Sequence, residues 1–91
     1  MLETILVVDD DPDVARFVEI NLRFVGYDVL VAGDGEEALR IAEEVRPDLI
    51  LLDIMMPRID GFEVARRLRE EAQLKDVFVL EGGWEAWLKK K

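Results

Sequence analysis

Two short apolar runs that each end in carboxylates constrain this chain more than any other feature. Ile5 to Val8 leads into Asp9 and Asp10, and Leu49 to Leu52 leads into Asp53. Uninterrupted apolar runs of this length are typical of strands that are buried on both faces of a parallel sheet. Open parallel sheets bind their ligands outside the carboxyl ends of the strands. The three carboxylates are therefore candidate site residues, and the alternative is that Asp53 is an ordinary turn or helix-cap residue.

Strand and helix patterns alternate along the chain. Strands are predicted at Thr4 to Val8, Asp28 to Ala32, Leu49 to Asp53 and Asp76 to Leu80. Helices are predicted to begin at Asp11-Pro12, Asp34-Gly35 and Asp60-Gly61. This alternation predicts an α/β fold of the flavodoxin-like class, a three-layer α/β/α sandwich whose parallel four-stranded sheet has the strand order 2-1-3-4. We expect residues 1–91 to form a single domain.

Apolar residues at helical spacing predict which face of each helix contacts the sheet. The predicted inward set is Val14, Phe17, Val18, Leu22 and Val25, then Ala38, Ile41, Ala42 and Val45, then Phe62, Val64, Ala65 and Leu68. A short last helix is predicted to bury Trp84, Trp87 and Leu88. In the fourth strand, Val77 to Leu80 are expected to form an edge without a charged side chain, which invites homodimer formation through strand pairing.

Composition and charge exclude several classes of function. The 91 residues carry 12 basic and 21 acidic side chains, a net charge of −9, which argues against nucleic acid as a partner. The absence of cysteine and histidine excludes disulfides, thiolate metal sites, a nucleophilic cysteine and the commonest general base. The sequence shows neither a signal peptide nor an apolar run of about 20 residues, so we expect a cytoplasmic protein without a membrane partner.

Three motifs resemble the receiver domain of bacterial response regulators. They are Ile-Leu-Val-Val-Asp-Asp-Asp-Pro at 5–12, Gly-Asp-Gly-Glu-Glu-Ala-Leu at 33–39, and Arg-Pro-Asp-Leu-Ile-Leu-Leu-Asp-Ile-Met-Met-Pro-Arg-Ile-Asp-Gly at 46–61. The resemblance covers residues 3 to about 70. It implies a non-enzymatic phosphoacceptor module of a two-component phosphorelay, whose partner is a histidine kinase. It also implies that Asp53 is the phosphoacceptor.

The resemblance further implies a Mg²⁺ site and a shaped loop after Asp53. The implied metal ligands are the carboxylates of Asp9, Asp10 and Asp53. The backbone carbonyl of Met55 is implied as a fourth ligand. Pro57 and Gly61 are implied to shape the loop that leads into the third helix. The chemistry of the residues agrees, because neighbouring carboxylates repel one another unless a hard divalent cation neutralises them.

The resemblance changes after residue 70. In the receiver family the fourth strand leads to Thr or Ser and the fifth to Lys, whereas Glu81 follows the fourth strand here, so phosphorylation is expected to be impaired. The segment 71–91 resembles the last strand and helix of a rhodanese-like domain, without that family's catalytic cysteine. A junction within a helix predicted over Glu63 to Leu74 indicates a chimera, natural or engineered. Two functions stay open, a signalling module and an engineered α/β scaffold without activity.

Overall fold

A computed structural model describes residues 3–53, 60–74 and 76–80 of the chain. In these ranges the strands are β1 (Thr4–Val8), β2 (Asp28–Ala32), β3 (Leu49–Asp53) and β4 (Val77–Leu80), and the helices are α1 (Pro12–Phe24), α2 (Gly35–Val45) and α3 (Gly61–Glu70). All strand pairs are parallel, and the order in the sheet is β2-β1-β3-β4. The predicted flavodoxin-like α/β fold and its strand order are confirmed.

Each described helix begins behind an aspartate whose side chain accepts backbone hydrogen bonds from the first turn. Asp11, Asp34 and Asp60 are these N-cap residues. Because the first N–H groups of a helix have no partner within the helix, each such cap stabilises the start by about 1 kcal/mol. After α1, Gly26 adopts a φ of 107°, in the left-handed region where helices commonly end and which favours glycine.

Helices cover both faces of the central strands β1 and β3, so these two strands have no polar side. In β1, Ile5 and Val7 lie in the layer of α1, whereas Leu6 and Val8 lie in the layer of α2 and α3. All four side chains are buried. Side chains of a strand alternate between the two faces of its sheet, and here each face meets an apolar layer. This explains why the strand sequences are continuously apolar rather than alternating.

The predicted helix faces are partly wrong. The large residues Phe17, Val25, Val45 and Phe62 are exposed, and Phe62 has 57% of its surface accessible. The helix positions that do contact the sheet include several small residues, namely Ala15, Ala38, Ala42 and Ala65. Small side chains let a helix lie close to the sheet, which narrows the stripe that the sheet covers. Apolar residues at the margins of that stripe are then left in solvent.

Among the described strands β4 lies at one edge of the sheet, and a side chain of α3 contacts its outer backbone. The N–H of Ile50 in β3 donates to the carbonyl of Asp76, just before β4. Backbone groups of successive residues along a strand point to alternate sides, so the N–H and carbonyl groups of Val77 and Val79 point away from β3. Nη2 of Arg69 donates to the Val77 carbonyl oxygen at 2.8 Å. We expected an edge without a guarding charge, but α3 supplies one.

The chain after α3 departs from the predicted helix. We expected a helix over Glu63 to Leu74, but α3 ends at Glu70. Gln73 has a φ of 56°, which no right-handed helix accommodates. The predicted last helix with its two tryptophans, and Glu81 before it, lie outside the described residues. In the described ranges, no helix has the length and apolar character needed to cross a membrane.

Replacing Arg69 with Met should increase self-association through β4. The change removes the charged donor from the Val77 carbonyl and frees a backbone acceptor at the edge, and it should also lower the free energy of unfolding by about 1 kcal/mol. Light scattering across a range of protein concentrations measures the average mass. Arg66→Met is the matched control, because it removes the same charge from α3, where Arg66 pairs with Glu70. If the Arg69 variant associates no more than this control, Arg69 does not guard the edge.

Candidate functional site

Two buried carboxylates lie at the end of the sheet formed by the C-terminal ends of its strands. Val8 of β1 pairs with Leu52 of β3, so Asp9 and Asp53, the next residue in each chain segment, reach the same edge on neighbouring strands. Asp9 is 3% exposed and Asp53 is 8% exposed, and both are the only buried charged residues among those described. Asp10 is half-buried beside them. Neighbouring carboxylates in a poorly hydrated site repel each other when both are ionised.

Backbone hydrogen bonds hold Asp9 in place. Its N–H donates to the Ala32 carbonyl of β2 at 3.1 Å, which extends the β1–β2 ladder by one residue. Its Oδ1 accepts the N–H of Asp11 at 3.0 Å. Asp11 is the N-cap of α1, so the acid and the helix start are joined by one hydrogen bond. The direction of the Asp9 carboxylate is therefore coupled to the position of α1.

A shallow concavity of about 230 Å³ opens beside Asp9 and Asp10, between the start of α1 and the end of β2. Its charged wall residues are Asp9, Asp10, Glu19 and Arg16. The remaining walls are apolar side chains and Gly33. The concavity lies on the β2 side of β1, whereas Asp53 lies on the β3 side. Asp9 thus borders the concavity on one side and follows the strand that pairs with the strand of Asp53 on the other.

The predicted metal site is only partly within the described structure. Asp9 and Asp53 are brought together by the sheet, but within residues 3–53, 60–74 and 76–80 no three acidic side chains form a group that could hold a metal ion. Met55 and Pro57 lie outside the described residues, and the buried Gly61 begins α3. The carboxylate oxygens present are the ligand type that Mg²⁺ prefers. The convergence of all three aspartates on one ion stays a prediction.

Two side chains near the site were missed by sequence reasoning. Oε1 of Glu37, in the first turn of α2, accepts the N–H of Gly33 at 2.9 Å, one residue before the N-cap Asp34. Arg16 lines the concavity beside Asp9 and Asp10. Its place there depends on how α1 packs against the sheet, which no short sequence pattern encodes.

The sequence matches the family described as the response regulator receiver domain over residues 5–82. Among curated relatives, the alkaline phosphatase synthesis transcriptional regulatory protein PhoP of Bacillus subtilis is 46% identical over 80 residues, which cover 88% of this chain and 33% of PhoP. The DNA-binding dual master transcriptional regulator RpaA of Synechocystis is 47% identical over 76 residues, 84% of this chain and 32% of RpaA. This chain thus spans about a third of the length of these relatives.

A solved structure shares the fold and was determined with a metal. The response regulator protein TrrA of Thermotoga maritima, in complex with Mg²⁺-BeF, superimposes with a TM-score of 0.75 and 28% sequence identity, covering 98% of this chain and 96% of TrrA. The family match continues beyond residue 70 and includes β4. The rhodanese-like resemblance of the segment 71–91, and the chimera inferred from it, stay predictions.

Replacing Asp53 with Asn should raise the free energy of unfolding of the metal-free protein by about 1 kcal/mol, because it removes one of two neighbouring buried charges. Urea unfolding in the presence of a chelator measures the difference. Glu43→Gln is the control, since it removes the same formal charge from an exposed position on α2. Equal changes in the two variants would show that the effect comes from the net charge of −9 rather than from the site.

Proposed function

This chain belongs to the response regulator receiver domain family, and we propose that it is a phosphoacceptor module of two-component signalling that receives a phosphoryl group on Asp53. The burial of Asp9 and Asp53 on neighbouring strand ends is the observation that carries the proposal. Parallel α/β sheets bind ligands at this edge. We propose that the module accepts a group and changes its own state, without catalytic turnover of a substrate. No feature of the described residues favours the scaffold alternative.

The proposed chemistry is a single phosphoryl transfer. A carboxylate oxygen of Asp53 attacks the phosphorus atom of the donor and forms a new P–O bond. The bond between phosphorus and the leaving group breaks, and the leaving group departs with the bonding electrons. With acetyl phosphate as the donor, the products are an acyl phosphate on Asp53 and acetate. In the cell, we propose that a histidine kinase supplies the phosphoryl group.

We propose that Asp9, Asp10 and Asp53 hold Mg²⁺, together with the backbone carbonyl of Met55, which lies outside the described residues. Mg²⁺ favours sites with a few carboxylates and several retained waters, and three acids at the open edge of a sheet suit that preference. When bound, the ion supplies positive charge where negative charge develops during phosphoryl transfer. The complex of the similar protein TrrA with Mg²⁺-BeF supports this assignment.

The proposed partners differ from those of the whole relatives. RpaA is named as a DNA-binding regulator, but this chain matches only 32% of its length. We propose that these 91 residues do not themselves bind nucleic acid, because their net charge of −9 opposes contact with phosphate backbones. Any role in transcription would then require segments beyond the matched third.

We further propose that phosphorylation of Asp53 is slow. Leu80 of β4 pairs with Asp53 of β3, and the residue that matters is the one that follows Leu80 in the sequence. That residue is Glu81, which lies outside the described residues. In the receiver family a hydroxyl residue stands at this place. A carboxylate there would repel an incoming phosphoryl group instead of donating a hydrogen bond to it.

Incubation with acetyl phosphate and Mg²⁺ should add one phosphoryl group to the protein, as measured by intact mass. Asp53→Asn should abolish the addition, because it removes the attacking oxygen, and a chelator should suppress it. Glu43→Gln should be labelled like the parent protein. Equal labelling of the Asp53 variant would contradict the assignment of the phosphoacceptor.

The same assay tests the proposed role of Glu81. Glu81→Thr restores a hydroxyl and removes a charge, so labelling should become about 10-fold faster or more, the size expected when a donor is restored to a transferring group. Glu81→Gln separates the two causes, because it removes the charge without adding the hydroxyl. If the parent is labelled as fast as both variants, Glu81 does not limit the reaction.

A further inference from the structure

We propose that Arg16 captures the anionic phosphodonor at the concavity beside Asp9 and Asp10. This inference rests on the proposed phosphorylation of Asp53 and adds a residue to it. Arg16 lies on α1, outside the three motifs that identify the family in this sequence. The role is that of a substrate-binding residue, which raises the local concentration of the donor before transfer.

Arg16 is the arginine without an internal partner in the described part of the chain. Residues 3–53, 60–74 and 76–80 contain seven arginines. Four form ion pairs and two donate to backbone carbonyls, namely Arg23, Arg40, Arg66 and Arg67, then Arg46 and Arg69. Arg16 makes neither kind of contact within these ranges. A guanidinium that is not committed internally keeps all its donors for an external anion.

Arg16 also supplies the side-chain donors of the concavity. The other described wall residues carry carboxylates or apolar side chains, and Gly33 carries none. Two nearby backbone donors are occupied. Asp9 N–H bonds to the Ala32 carbonyl, and Gly33 N–H bonds to the Glu37 carboxylate. An anion that enters the concavity therefore finds its side-chain hydrogen-bond donors on Arg16.

The start of α1 does not offer the donors that a helix N-terminus usually provides. Pro12 has no N–H, and the N–H groups of Asp13 and Val14 are accepted by the Asp11 side chain. The N–H of Ala15 bonds to the Asp11 carbonyl. Helix N-termini attract anions because such groups point outward unpaired. With these donors occupied, attraction of an anion depends on the Arg16 guanidinium.

The charges around the concavity explain why such a residue is useful. Asp9, Asp10 and Glu19 contribute three negative charges to its walls, and Glu19 is partly offset by Arg23 at 3.1 Å. A phosphodonor is itself an anion, so walls without Arg16 would only repel it. A planar guanidinium binds two phosphate oxygens at once, which a single ammonium group does not.

Labelling rates over a range of acetyl phosphate concentrations test this role. Arg16→Gln should raise the half-saturating donor concentration about 3- to 5-fold, the range that one exposed charge pair supports, and leave the limiting rate nearly unchanged. Arg16→Lys should recover part of the effect, because it keeps the charge and loses the two-pronged geometry. Arg40→Gln is the matched control, since Arg40 is an exposed helical arginine that pairs with Glu44 on α2.

Inorganic phosphate gives a second readout that does not depend on transfer. Phosphate binding to the unphosphorylated protein can be followed by chemical-shift changes. The affinity should weaken in Arg16→Gln by the same factor and stay unchanged in Arg40→Gln. Unchanged half-saturation and unchanged phosphate binding in Arg16→Gln would overturn this inference while the labelling of Asp53 still stands. An equal loss in Arg40→Gln would also overturn it, because the effect would be one of net charge. A parent protein that is never labelled at Asp53 would overturn both proposals.

Discussion

The parallel pairing of β1 with β3 determines where two buried carboxylates meet. Val8 lies opposite Leu52, and the acids that follow them reach one edge of the sheet together. Both strands are buried on both faces, so a shift of one residue would exchange the apolar side chains of the two layers and move the acids apart. The register that builds the core is therefore also the register that builds the site.

Placing two carboxylates in the interior opposes folding, since each loses hydration and repels the other. The core around them is continuous, and the residues just before them, Val8 and Leu52, are fully buried. Asp9 also has a structural part, because its carboxylate accepts the N–H of the α1 cap residue. Buried charges are expected mainly at functional sites, and Asp9 and Asp53 are the only buried charged residues in the described structure.

Sequence patterns predicted the strands and helix starts well, because the causes are local. A strand buried on both faces must be apolar throughout, and a helix start needs a capping side chain such as Asp34. The exposed Phe62 was missed because helical spacing shows an apolar stripe but not the width that the sheet covers. The positions of Arg16 and Arg69 depend on tertiary placement, which no short pattern encodes. Arg69 reaches a carbonyl on β4 that becomes its neighbour only after the chain has folded back along β3.

The most direct test of the account is a double-mutant cycle on Asp9 and Asp53, measured by urea unfolding without metal. If the two carboxylates repel each other, Asp9→Asn and Asp53→Asn each relieve the same repulsion, so the double variant should gain less stability than the sum of the single gains. We predict a coupling energy of about 1 kcal/mol. Gains that add to within about 0.3 kcal/mol would show that the two acids do not interact, and would contradict the central role assigned to the pair.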